Sequence, residues 1–235
     1  MTGKIHSIET MGLTDGPGIR SVVFFQGCRL RCAYCHNPDT WSRDGGREFT
    51  AEELLKKVLR FKPYFERSGG GITCSGGEPL LQPEFLVEFL KLCKENGINT
   101  AIDTAGFGNG QYEEVLRYTD LVLLDIKHVN DEGYERLTGR GFRDFWNFVD
   151  ALNNLDKAIW IRHVVVPGIT DSKEHIEKLR KMIKGFNNVK KVELLPYHVL
   201  GVNKYREMGI PYRLDGIRPM SKDKIEKLEH ILKVS

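Results

Sequence analysis

Apolar positions along the chain fall into two alternating kinds of run. Short runs dense in β-branched and aromatic residues read as strands, at 21–25 (SVVFF), 72–75, 99–103, 121–126 (LVLLDI), 158–166 (AIWIRHVVV) and 189–195. Between them, apolar residues recur at helical spacing. Thr50 and Glu53 form a capping box, and Leu54, Leu55, Val58 and Leu59 then give one apolar face. Further helices are expected over 83–96, closed by Gly97, and over 111–118 and 142–154. Another starts at Asp171 and Glu174, carries Ile176, Leu179 and Ile183 on one face, and ends at Gly185. The last starts at Ser221, with Ile225, Leu228 and Leu232 inward. The run 121–126 is apolar apart from Asp125 near its end, as a strand covered on both faces requires.

About six β-α units result, and such alternation calls for parallel strands with helices outside. A doubly wound sheet satisfies it, and so does a barrel or part of one; six units are two short of the eight-fold barrel. A chain of 235 residues favours one domain. No run reaches the roughly 18 apolar residues of a membrane span, and the amino terminus has no apolar signal segment, so a cytoplasmic protein is expected. A net charge of +3 is too small to argue for nucleic acid or membrane, but suits an acidic electron donor or an anionic cofactor.

Five cysteines in a reducing compartment point to metal ligands before disulfides. Three of them, Cys28, Cys32 and Cys35, lie within eight residues. A four-iron cluster normally takes four thiolates, so three would leave one iron open. Cys28, Cys32, Cys35 and His36 could also supply a Cys3His zinc set, although neighbours in sequence rarely close one tetrahedron. Cys93 shares a helical face with Leu86, Phe89 and Leu90 and reads as core, as does Cys74. The unusual polar residues map to strand ends. The cysteines follow the first strand and Ser75-Gly76-Gly77-Glu78 the second; Asp103-Thr104 ends the third, and Asp125 and Lys127 the fourth. Arg162 lies in the fifth, and His198 follows the sixth. Parallel α/β folds bind ligands at that rim.

The CxxxCxxC run resembles the signature of the radical S-adenosylmethionine (SAM) enzymes. The segments 15–20 (DGPGIR), 25–28 (FQGC), 34–41 (YCHNPDTW), 75–78 (SGGE), 160–162 (WIR) and 193–198 (ELLPYH) further resemble the activases of glycyl radical enzymes, along nearly the whole chain. The resemblance implies a partial (β/α)6 barrel and one [4Fe-4S] cluster on Cys28, Cys32 and Cys35. It implies cleavage of SAM to a 5′-deoxyadenosyl radical, which takes a hydrogen from a glycine Cα of a partner enzyme. For SAM it implies Gly76 and Gly77 beside the methionine end, with Glu78 on its ammonium and Arg162 on its carboxylate. A barrel ion pair is an equally plain reading of Arg162. Tyr34, Cys35 and His36 would frame the adenine, Asp125, Ile126 and Lys127 would meet the ribose, and His198 would close the adenosyl side. Asp103, Thr104 and Asp125 would hold a monovalent cation, Na+ or K+. Asp15, Gly16, Pro17 and Gly18 would line the mouth that receives the partner's glycine loop. The stretch 41–71 has no further cysteine, which implies one cluster and a separate electron carrier, a flavodoxin or ferredoxin. That short form favours pyruvate formate-lyase as partner, with another glycyl radical enzyme or a metabolite as alternatives, and a monomeric activase.

Overall fold

The computed structural model describes residues 1–233. Its eight strands form one sheet: β1 (Thr2–Gly12), β2 (Arg20–Phe25), β3 (Arg47–Thr50), β4 (Gly71–Gly76), β5 (Asn99–Thr104), β6 (Leu121–Asp125), β7 (Ala158–Val165) and β8 (Val189–Pro196). Their order is β3-β1-β2-β4-β5-β6-β7-β8. From β2 to β8 every pairing is parallel, which gives the six units expected from the sequence. The fold is α/β, a partial barrel.

β1 and β3 add an antiparallel edge that the hydrophobic pattern does not reveal. β1 alternates between buried and exposed positions, so it lacks the continuous apolar run of a strand covered on both faces.

Nine helices complete the described residues: α1 (Ala51–Val58), α2 (Lys62–Ser68), α3 (Pro83–Glu95), α4 (Tyr112–Arg117), α5 (Asp131–Thr138), α6 (Arg143–Asn154), α7 (Lys173–Ile183), α8 (Val202–Glu207) and α9 (Lys222–Lys233). The capping box of α1 forms, with both Thr50 and Glu53 engaged. The cap of α7 differs from expectation. Ser172 takes that role, its hydroxyl accepting from the His175 N–H at 3.1 Å, while Asp171 accepts from Gly168 N–H in the preceding turn. The unexpected α2, α5 and α8 have seven, eight and six residues, too few for periodicity to show.

Side chains alternate across each strand. Ile72, Cys74, Ile102, Val122 and Leu124 face outward and pack with Leu54, Leu86, Phe89, Leu90 and Cys93 of the helices. Burying each such chain contributes about 1.5–3 kcal/mol. Cys74 and Cys93 are fully buried there, as core residues. The opposite alternation turns Ser75, Asp103, Asp125 and Arg162 toward a shared space at the carboxyl ends of the strands.

Candidate active site

β2 delivers the chain to the cysteine loop through Gly27, at φ +102°. The loop is tied down by main-chain bonds. Arg31 N–H donates to Thr138 O at 2.7 Å, and Ala33 N–H to Leu137 O at 2.9 Å. The far side is held by the segment around α8. Tyr205 Oη donates to Cys35 O at 3.0 Å, Arg213 Nη1 to Arg31 O at 2.8 Å, and Lys204 Nζ to Asn37 Oδ1 at 3.1 Å. Cys28, Cys32 and Cys35 are free thiols lining one cavity of about 290 Å³. Burial raises the pKa of all three, that of Cys32 to about 11. Without metal they stay protonated at neutral pH, so metal binding must release their protons. Among the described residues, no three His, Cys, Asp or Glu side chains are arranged to hold a single metal ion. His36 belongs to another contact: its ring stacks on His198 at 4.1 Å, and its Nε2 lies 3.2 Å from His198 O.

The glycines at the exit of β4 permit a close backbone approach. A Cβ on Gly76 would lie 2.4 Å from Phe25 N, and one on Gly77 would lie 2.3 Å from Gly27 O. Gly77 N–H and Glu78 N–H donate to Phe25 O and Gly27 O, each at 2.9 Å. The pair therefore seats the β4 exit directly against the root of the cysteine loop. Glu78 is 1% exposed, and three protein donors take its oxygens. They are Thr104 Oγ1 at 2.5 Å, Ala105 N–H at 2.9 Å and Leu80 N–H at 3.2 Å. Burial still pushes its carboxyl up to about 7. Without ligand, Glu78 ties the β4 loop to the β5 loop.

A row of charges spans β5 to β7. Asp103 accepts from Ser75 Oγ at 2.7 Å and from Arg162 Nη2. Arg162 Nε donates to Asp125 Oδ1 at 3.1 Å, and Lys127 Nζ to Asp125 Oδ2 at 2.7 Å. Burial opposes ionisation of Asp125, but Arg162 and then Lys127 outweigh it and hold its pKa low. Burial likewise opposes the Arg162 charge, and Asp103 and Asp125 outweigh it. The barrel ion pair is thus the state of Arg162 here.

The expected cation ligands are not assembled. Asp103 and Asp125 face Arg162 and Lys127, while Thr104 faces Glu78. Ile126 also departs from expectation. Its side chain is buried in the outer core, and its carbonyl accepts from His163 Nδ1 at 2.6 Å. Nε2 of His163 in turn lies 3.1 Å from His175 Nε2.

The cavity wall gathers Tyr34, His36, Gly76, Gly77, Glu78, Asp103, Thr104, Asp125, Lys127, Arg162 and His198 with the three cysteines. The sequence pattern does not place Leu30, Ala105 and Val164 on that wall, nor Tyr205, Arg213 and His163 behind it. Asp15 to Gly18 lie off the wall. Asp15 O accepts from Thr73 Oγ1 at 2.6 Å, and Pro17 O from Arg20 Nη1 at 3.2 Å. Burial, then the Asp103 charge, pushes the Asp15 carboxyl up, so the turn is within electrostatic reach of the charged row. Two buried polar atoms on the wall, Tyr34 Oη and His198 Nδ1, have no hydrogen-bond partner among the described residues. Unpartnered groups of this kind call for a ligand. Three thiols, two waiting polar atoms and a glycine-built approach fit a cluster and a polar cofactor.

Fold and site thus define an α/β barrel with a tri-thiolate pocket at its carboxyl rim. The profile of the radical SAM superfamily matches residues 22–183. The chain is 67% identical to the pyruvate formate-lyase-activating enzyme of Clostridium pasteurianum, over 98% of this chain and 97% of that one. It is 46% identical to that of Staphylococcus epidermidis, over 97% and 94%. Among solved structures, a domain of a pyruvate-formate lyase-activating enzyme from Bacteroides vulgatus superposes with a TM-score of 0.57 at 25% identity, covering 70% of this chain and 93% of that one. A radical SAM methyltransferase from Sphaerobacter thermophilus shares the fold, with a TM-score of 0.68 at 16% identity over 98% and 74%. The chain belongs to the radical SAM superfamily and, within it, to the family of the pyruvate formate-lyase-activating enzymes.

Proposed function

We propose that this chain is a radical SAM activase whose protein substrate is pyruvate formate-lyase. The observation that carries the reading is the convergence of Cys28, Cys32 and Cys35 with the Gly76-Gly77 approach and two unpartnered polar atoms on one cavity. When bound, the [4Fe-4S] cluster and SAM would supply the 5′-deoxyadenosyl radical that takes a hydrogen from the partner's glycine Cα.

The residues of the chain place and shield that chemistry. Cys28, Cys32 and Cys35 would give up their protons to hold the cluster. Gly76 and Gly77 let the β4 exit pack directly against Phe25 and Gly27 at the root of the cysteine loop. Arg162 has charge for a carboxylate and would have to share its fork between that ligand and Asp103 or Asp125. Glu78 would offer an ammonium the remaining acceptor site on Oε2, which otherwise takes only the Ala105 N–H. Tyr34 and His198 would flank the nucleoside from the cavity wall, with Asp125 and Lys127 at its ribose end. A monovalent cation would compete with Arg162 and Lys127 for the oxygens of Asp103 and Asp125. The Asp15–Gly18 turn would receive the partner's glycine loop. The activase is read as monomeric and cytoplasmic, and fed by a flavodoxin or ferredoxin. Among the described residues no helix is long and apolar enough to cross a membrane.

The test is anaerobic reconstitution, then incubation with SAM, a reductant and purified pyruvate formate-lyase. Electron paramagnetic resonance should show a glycyl radical on the partner. Replacing Cys28, Cys32 or Cys35 with Ala should abolish SAM cleavage. Full cleavage in any of the three would overturn the assignment, and cleavage without the glycyl radical would point to another substrate.

A further inference from the structure

Outside the cavity, on the other side of the cysteine loop, lies a groove of about 400 Å³. Arg29, Arg31, Arg43 and Arg140 line it, with Trp41, and no carboxylate does. All four arginines are exposed. None of them takes part in an ion pair among the described residues. Arg31 serves the loop itself. Its Nη1 donates to Cys28 O at 2.8 Å, and its guanidinium lies 4.8 Å over the Trp41 ring. Arg140 bonds weakly, Nε to Arg29 O at 3.4 Å. Among the described residues, the heads of Arg29 and Arg43 serve no contact of the fold. A chain of net charge +3 thus places four uncompensated cations around one groove. Like charges at this density repel one another, and an anionic partner would relieve them.

Position says what kind of partner. Cys28 and Trp41 line both the groove and the cofactor cavity, so they form the wall between the two. An electron arriving in the groove meets a cluster ligand without entering the cavity. The cavity's own mouth stays free for SAM and the substrate loop. We propose that this groove is the docking surface for an acidic one-electron carrier protein, with Cys28 as the wall the electron crosses. The inference rests on the cluster assignment above. One electron leaves the carrier, which is oxidised, and enters the cluster, which is reduced; no atom is transferred.

The test compares two reductants on the cluster-loaded, anaerobic protein by stopped-flow absorbance. One is flavodoxin hydroquinone, an acidic carrier, and the other is the small cation of reduced methyl viologen. The double variant Arg29→Glu/Arg43→Glu should slow reduction by flavodoxin at least about tenfold at low salt, with a flattened salt dependence. Reduction by methyl viologen should not slow, since the more negative groove attracts a small cation, and iron content should match the parent. A charge-matched control on α7, Lys178→Glu/Lys181→Glu, should leave both rates near the parent's. Where the Glu variant takes up no cluster, Arg29→Gln/Arg43→Gln should show a smaller slowing confined to flavodoxin. An unchanged flavodoxin rate, or equal slowing with both reductants, would overturn the docking role. Failure of the parent protein to assemble a cluster would instead defeat the reading beneath it.

Discussion

Two buried arginines of this barrel are held in opposite ways. Arg20, at the start of β2, is fully buried among neutral acceptors. Its Nε donates to Thr73 Oγ1 at 2.7 Å, Nη1 to Pro17 O at 3.2 Å, and Nη2 to Ile72 O at 2.5 Å and Asn99 Oδ1 at 3.1 Å. Burial draws its pKa down to about 10, so it remains charged at neutral pH. Arg162, near the end of β7, lies between the carboxylates of Asp103 and Asp125 on the cavity wall, and its charge is reinforced. The acceptors of Arg20 include main-chain carbonyls that cannot rearrange. They make it a fixed staple between the Asp15–Gly18 turn, β4 and β5. The acceptors of Arg162 are anionic side chains beside a cavity, where an anionic ligand can compete for the same fork. Arg20 is built to stay, and Arg162 to exchange partners.

The largest effect should come from Arg20. Arg20→Met would strip donors from buried oxygens of Thr73, Pro17 and Ile72. It should cost about 3 kcal/mol or more, since each buried acceptor left without its donor costs about 1–3 kcal/mol. The urea midpoint measures this, and a loss under about 1 kcal/mol would erase the distinction between the two arginines.

Arg162→Met should do the reverse. Stability should fall by only about 1–2 kcal/mol, because Lys127 still holds Asp125 and water can enter the cavity. SAM affinity of the anaerobic, cluster-loaded protein should drop roughly tenfold or more, read by calorimetry. Arg162→Lys keeps the charge but cannot bridge both carboxylates, so it should restore only part of the affinity. Unchanged affinity in Arg162→Met would confine Arg162 to the ion pair.

What the sequence makes legible follows the same division. The six parallel strands are evident because short β-rich runs alternate with helical stretches, and the strand-end rule then collects the cysteines, Asp103, Asp125, Arg162 and His198 on one rim. The partners of those side chains are not evident. Tyr205 meets the Cys35 carbonyl across 170 residues, from a helix of six residues with no periodic signal. Arg20 reads only as the last residue of the 15–20 segment, since nothing in a linear pattern marks which main-chain oxygens a guanidinium will meet. Glu78 reads as a ligand group because the resemblance of the 75–78 segment implies it. Its three protein donors come from separate positions that only the fold brings together.

The smallest expected effect concerns a third buried set, fixed like Arg20 but able to titrate. His163 Nδ1 donates to Ile126 O, so its Nε2 must accept the proton of His175 Nε2. The ring of His128 packs against His175 at 4.7 Å. Burial lowers the pKa of His163 to about 4 and that of His175 to about 3. Both are therefore neutral in the fold, while the unfolded chain takes up protons below about 6.5. Between those limits the unfolded state binds more protons, so stability should rise with pH and be lost as pH falls from about 6.5 toward about 4. His163→Gln should cost about 1 kcal/mol at pH 7, one hydrogen bond's worth, and flatten that slope in urea titrations taken at half-unit steps of pH. Protonating the pair would set two N–H groups face to face at 3.1 Å, behind the carbonyl that follows Asp125. A slope left intact in His163→Gln would mean that groups other than this pair carry the acid sensitivity.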